Sequence, residues 1–222
     1  SPISMAGHSL GEYTALVASS AMSFFDAIQL VRKRGELMQA AVPTGTGSMA
    51  AILGLEDTLI IAICQKASNQ GVVEAVNFNS PGQVVIAGEK NAVAHACELM
   101  KEAGAKRALV LPVSVPSHCS LMKDAADKFK TYIEFVDLKA VNVKVIHNVD
   151  ADYAGDIKDI KAKLVEQLHM PVLWASSVNK MKDSGVEKLI EVGPGKVLTG
   201  LTRRIDKSLS ASAIIDVGSL KS

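Results

Sequence analysis

The chain has 222 residues, enough for one sizeable domain with a smaller one inserted. A net charge of +1 from 24 basic and 23 acidic residues offers no field for nucleic acid or an anionic membrane, and 4% aromatics are too few for a base-stacking surface. Cys64, Cys97 and Cys119 form no CxxC or zinc spacing and suit a reducing cytoplasm, and no apolar run reaches the ~18 residues of a membrane helix.

In chain order, residues 2–6 (PISMA) form a short apolar run before a glycine, the pattern of a buried parallel strand. From Gly11 the period turns helical, with Tyr13, Leu16 and Val17 on one face. Ser23 is placed to cap a second helix through Ile28, Val31, Leu37 and Met38, and VPTGTGS then breaks the pattern. Residues 48–113 read β-α-β-β-α-β, the ferredoxin-like split arrangement, ending in the strand RALVLPVS. Beyond it, a helix is predicted over about 121–135, a strand over 143–150, and helices in IKDIKAKLVEQL and VLWASSVNKMKDSG. The strand VEKLIEVGPG and the helix KVLTGLTRRID follow. This alternation predicts an α/β fold: a parallel sheet with helices on both faces over 1–43 and 114–222, and an inserted ferredoxin-like unit over 44–113.

The chemistry-bearing stretch is Gly7-His8-Ser9-Leu10-Gly11, Gly-x-Ser-x-Gly between a strand and a helix. Such an elbow presents its serine at the mouth of the sheet, with the N–H groups of the next helix beside it for an oxyanion. The flanking glycines are expected where a side chain would strike neighbouring backbone. A plain glycine turn is the alternative reading. Serine needs a base, and five histidines are present. His8 points away from Ser9 by alternation, His95 lies on a helix of the inserted unit, and His147 and His169 belong to later elements. His118 ends VLPVSVPSH, where a strand would emerge at the carboxyl edge of the sheet, and position favours it. Arg32, Lys33 and Arg34 read as a solvated helical run, but Arg34 faces the apolar positions Val31, Leu37 and Met38, as a guanidinium seeking a carboxylate or phosphate would. GPGKVLTG lacks the Ser/Thr that follows the lysine in a Walker loop, and TGTG lacks a dinucleotide context. His147, Asp150, Asp152 and His169 match no metal-ligand spacing.

The stretches AGHSLGEY, VNFNSPGQVVIAG, RALVLPVSVPSHCSLMK and EVGPGKVLTGL, in that order from residue 5 to about residue 205, closely resemble bacterial malonyl-CoA:acyl carrier protein transacylases. The resemblance implies an α/β-hydrolase-like subdomain carrying a ferredoxin-like one. It implies that Ser9 is the acylated nucleophile, His118 its base and the Leu10 N–H an oxyanion donor. Arg34 would hold the malonyl carboxylate, and the backbone carbonyl of Gln167 would orient the histidine in place of an aspartate. Asn79 and Asn148 match positions near the pocket. The implied partners are malonyl-CoA and acyl carrier protein, with no cofactor, since coenzyme A is part of the substrate.

Relatives of this kind open with a strand and a Gly-Gln-Gly-Ser-Gln loop whose glutamine supplies a second oxyanion N–H, a stretch this sequence does not contain. The expectation is therefore that the sequence is a fragment or that a separate N-terminal segment completes the fold, and that this polypeptide alone is inactive. The other readings are an acyltransferase domain of a polyketide or fatty-acid megasynthase, a serine esterase or thioesterase, and a non-catalytic fragment that binds carrier protein.

Overall fold

A computed structural model describes residues 2–113 and 115–221. Ser114, the last residue of the strand predicted in RALVLPVS, lies outside the described residues. Strand β1 (Ser4–Ala6) enters the elbow and α1 (Gly11–Ala18) leaves it. Helix α2 (Phe24–Ala40) begins where predicted, its first turn capped by the Ser23 hydroxyl, which accepts the Asp26 N–H at 3.0 Å.

The inserted unit follows as β2 (Gly47–Leu53), α3 (Asp57–Ala67), β3 (Val73–Ser80), β4 (Gln83–Glu89), α4 (Lys90–Glu102) and β5 (Arg107–Val110). Its four strands pair in the antiparallel order β3-β4-β2-β5, the order of a split βαβ unit. One face buries Ile52, Val84 and Ile86 against Ile60, Val93 and Met100 of α3 and α4. The other face carries Met49, Val76, Val85 and Ala87, which pack on Cys119 just past His118. Because both faces are covered, β2 reads as an almost unbroken apolar run rather than an alternating one.

The remaining elements are α5 (Lys123–Ile133), β6 (Lys144–Ile146), α6 (Ile157–Glu166), α7 (Trp174–Asp183), β7 (Lys188–Val192), α8 (Val197–Ile205) and β8 (Ser210–Ile214). A single core joins α1, α2, α5 and α6 through Tyr13, Leu16, Leu30, Phe129, Ile133 and Leu164. Parallel pairing is confirmed but divided: β1 pairs with β6, and β7 pairs with β8, as two separate two-stranded ladders among the described residues. The strand predicted over 143–150 is only three residues long. It stops because the His147 N–H goes to Asp152 O (3.0 Å) and the Asn148 N–H to Glu12 Oε2 (3.0 Å), leaving neither for a ladder. The strand predicted through RALVLPVS ends at Val110: the Leu111 N–H still reaches Met49 O (2.9 Å), but Pro112 has no N–H to donate and the Val113 N–H turns back to Leu111 O (2.8 Å). His118 therefore sits in an irregular loop rather than at a strand end, with a φ of 67° and its N–H bonded to Leu168 O (3.1 Å). The parallel bridge between Asn77 and Val172 ties the inserted unit to the start of α7.

Candidate active site

The elbow is tight for a specific reason. A Cβ on Gly7 would lie 1.9 Å from the backbone of Gly11, so no side chain fits there. The expectation for Gly11 is corrected: a Cβ at that position meets nothing within 4 Å. The crowding is one-sided, with Gly7 lying under the first turn of α1. Ser9 takes φ 52°, a left-handed conformation that costs a non-glycine residue about 1–2 kcal/mol. Such strain persists only where surrounding contacts hold it.

Those contacts assemble the predicted residues around Ser9. Ser9 Oγ lies 2.8 Å from His118 Nε2 and accepts from Arg34 Nη2 at 2.9 Å. His118 Nδ1 lies 2.6 Å from the Gln167 carbonyl oxygen. A carbonyl only accepts, so Nδ1 carries the proton and Nε2 presents its lone pair to the serine hydroxyl. Burial, and then the Arg34 charge, push the His118 pKa down to about 3, so the ring is neutral and ready to take a proton. Among the described residues no carboxylate bonds the ring, and the Gln167 carbonyl alone meets Nδ1. The Leu10 N–H makes no hydrogen bond among the described residues and stands beside Ser9 at the start of α1.

Arg34 is 6% exposed, whereas its neighbours Arg32 and Lys33 pair with Glu36 on the solvent side of α2. Its guanidinium lies over the Tyr13 ring (5.7 Å) and donates from Nη2 to Gln167 Oε1 (3.2 Å). Its Nε is buried without a partner, and no carboxylate pairs with it among the described residues. Asn148 Oδ1 accepts the Ser9 N–H (2.7 Å) while Nδ2 donates to Gly7 O (2.8 Å), so it grips the elbow backbone. Asn79 does not reach the serine. It holds His8, with Oδ1 2.8 Å from Nε2, and the His8 ring packs 5.6 Å from Trp174. His8 thus points away from the chemistry, as alternation predicts, and burial lowers its pKa.

Two residues of the site carry no sequence signal of a role. Glu12 and His147 are fully buried and bonded to each other at 2.7 Å, 135 positions apart. The glutamate follows the Gly-x-Ser-x-Gly motif immediately, which was the only available cue. Cys119, beside His118 in sequence, is no rival nucleophile, because burial pushes its thiol up to about 12. The other cysteines, Cys64 and Cys97, are also buried free thiols.

The sequence model described as the acyl transferase domain matches residues 1–221. A malonyl CoA-acyl carrier protein transacylase of Escherichia coli K12 is 56% identical over 213 residues, 96% of this chain and 69% of that protein. The crystal structure of an acyl carrier protein S-malonyltransferase from Vibrio cholerae superposes with a TM-score of 0.98 at 56% identity, covering 100% of this chain and 72% of that one. A malonyl-transacylase in complex with a type II PKS acyl-carrier protein superposes with a TM-score of 0.98 at 51% identity, over 100% of this chain and 72% of that chain. By model match, identity and fold, the chain belongs to the acyl transferase family, and its relatives there are malonyl CoA-acyl carrier protein transacylases.

Proposed function

We propose that this protein transfers a malonyl group from malonyl-CoA to the phosphopantetheine thiol of acyl carrier protein through a malonyl-Ser9 intermediate. The observation that carries the reading is a buried, permanently charged guanidinium, without a carboxylate partner among the described residues, 2.9 Å from the hydroxyl of a serine paired with a neutral histidine. A substrate that brings its own carboxylate to the acylation site supplies what Arg34 lacks.

His118 Nε2 takes the Ser9 Oγ proton as the oxygen attacks the thioester carbonyl. The Leu10 N–H meets the developing oxyanion at the helix start. Collapse breaks the carbon–sulfur bond, and coenzyme A leaves as the thiol with the proton from His118. The carrier thiol then enters by the reverse sequence: it gives its proton to His118, attacks the malonyl-serine ester, and Ser9 Oγ recovers the proton. The backbone carbonyl of Gln167 keeps the ring aimed throughout and needs no charge to do so. No cofactor enters this scheme. A cytoplasmic location belongs to the same reading; no helix among the described residues is long and apolar enough to cross a membrane.

Intact mass after incubation with malonyl-CoA tests the reading. A malonyl adduct is expected on the full-length wild type and not on full-length Ser9→Ala, since the 222-residue polypeptide alone is expected to be inactive, and transfer to carrier protein rather than release of free malonate separates it from hydrolysis. Arg34→Ala is expected to erase malonyl-over-acetyl preference by the worth of a charge-assisted pair, about 1.5–3 kcal/mol, or roughly 10- to 150-fold. An unchanged preference in that variant removes Arg34 from carboxylate recognition.

A further inference from the structure

Glu12 lies in the first turn of α1 and is 0% exposed. Its carboxylate bonds neither Ser9 Oγ, nor His118, nor Arg34, so the transfer scheme leaves it without a task. A carboxylate this deeply buried is rare, and it is tolerated only where hydrogen bonds satisfy it. Three groups converge on this one: His147 Nδ1 lies 2.7 Å from Oε1, while the Asn148 N–H (3.0 Å) and Gln167 Nε2 (2.7 Å) both donate to Oε2.

The last two donors belong to the residues that hold the nucleophile. Asn148 accepts the Ser9 N–H and donates to Gly7 O. Gln167 Nε2 donates to the Ser9 carbonyl at 2.9 Å, its Oε1 accepts from Arg34, and its own carbonyl receives the His118 Nδ1 proton. Both polar groups of the Ser9 backbone, left-handed at φ 52°, are therefore gripped by amides that share one anchor. We propose that Glu12 is a positioning residue: it fixes Asn148 and Gln167, and through them the strained backbone of Ser9 and the alignment of His118 and Arg34. The proposal rests on the reading of Ser9 and His118 as nucleophile and base.

In this role reach and acceptor geometry matter more than charge. Glutamine can offer its carbonyl to the two donors at the Oε2 position, while its amide donates to His147 Nδ1, the neutral imidazole then carrying its proton on Nε2. Aspartate keeps the charge but is one methylene shorter and cannot span to both Asn148 and Gln167. A general base or an electrostatic partner would be preserved better by aspartate, so the two substitutions separate the roles.

The test compares Glu12→Gln, Glu12→Asp, Glu12→Ala and Asn148→Ala by two readouts, with melting temperature alongside. The first is the rate of Ser9 labelling by a fluorophosphonate probe, which reports the nucleophile without any thioester. The second is malonyl-CoA turnover resolved into kcat and KM. Glu12→Gln is expected within about fivefold of wild type by both. Glu12→Asp, Glu12→Ala and Asn148→Ala are expected to lose roughly 10- to 100-fold in labelling and kcat with KM little changed, the cost of misplacing a reacting atom by an ångström or less. The proposal is overturned if Glu12→Asp outperforms Glu12→Gln, if Asn148→Ala labels at the wild-type rate, or if the losses appear only in KM or in melting temperature. Should the aspartate and alanine variants at Glu12 not fold, Glu12→Gln and Asn148→Ala decide by the same criteria. If wild type takes the probe at Ser9 but not malonyl-CoA, the malonyl reading fails, and the order of the variants with the probe still judges Glu12.

Discussion

Ser9 Oγ receives Arg34 Nη2 on one side and faces His118 Nε2 on the other, so one hydroxyl accepts from a cation and donates to a neutral base. The neutrality of His118 has a measurable consequence, because its folded pKa of about 3 lies far below the 6.5 of a free imidazole. The expected pH profile of Ser9 acylation is flat from about pH 8 down to about pH 5, falling only in stronger acid. An inflection near the ordinary histidine value would show that the ring is not held as described. Linkage has the same origin and a definite sign. Between the two values the unfolded chain binds the proton that the folded one refuses, so stability is lost as pH falls through that window and is intact above the unfolded value.

At the scale of elements, the elbow is tight because Gly7, just past β1, lies against the backbone of Gly11 and Glu12 in the first turn of α1. The two glycines of the motif are unequal in this packing, and substitution separates them. Gly7→Ala forces a Cβ into the Gly11 backbone and is expected to cost on the order of 4 kcal/mol or more, losing the elbow. Gly11→Ala opens onto free space at the first residue of α1 and is expected to be neutral or stabilising by up to about 1 kcal/mol. Chemical denaturation of the two variants checks the contrast, and equal destabilisation would contradict the one-sided crowding.

Across the whole molecule, the inserted unit and the helical core meet at the site from opposite sides. The loop leaving β5 delivers His118, and the back of the small sheet packs on Cys119. The α3 and α4 side of that sheet is remote from the chemistry, and Ile86 is fully buried there. Ile86→Ala is expected to destabilise by about 2–5 kcal/mol, as cavity-forming substitutions do. The surviving folded molecules are expected to acylate Ser9 within about threefold of wild type, since distant sites add independently. A tenfold loss of kcat well below the melting temperature would mean that this core also sets the histidine.

Features carried by neighbouring residues were legible from the amino-acid order. The elbow, the Ser23 cap, the βαββαβ order and the amphipathic helices depend on spacings of a few positions, where sterics and period act directly. The strand end at 146 was not, because the Asn148 N–H goes to Glu12, 136 positions away, whereas the end at 110 follows from Pro112, which the sequence already displays. Strand β8 was missed as well: its serine and alanine side chains give little apolar contrast, and only pairing with β7 identifies it. The site divides in the same way. Motif and position pointed to Ser9, His118 and Arg34, and family resemblance gave their roles and added Gln167, but the bonds joining Ser9 to His118 and to Gln167 close gaps of 109 and 158 residues. Local periodicity carries no information across such distances. The buried Glu12–His147 pair, and with it the grip on the nucleophile, was decided by tertiary structure alone, because only folding removes the water that would otherwise satisfy those groups.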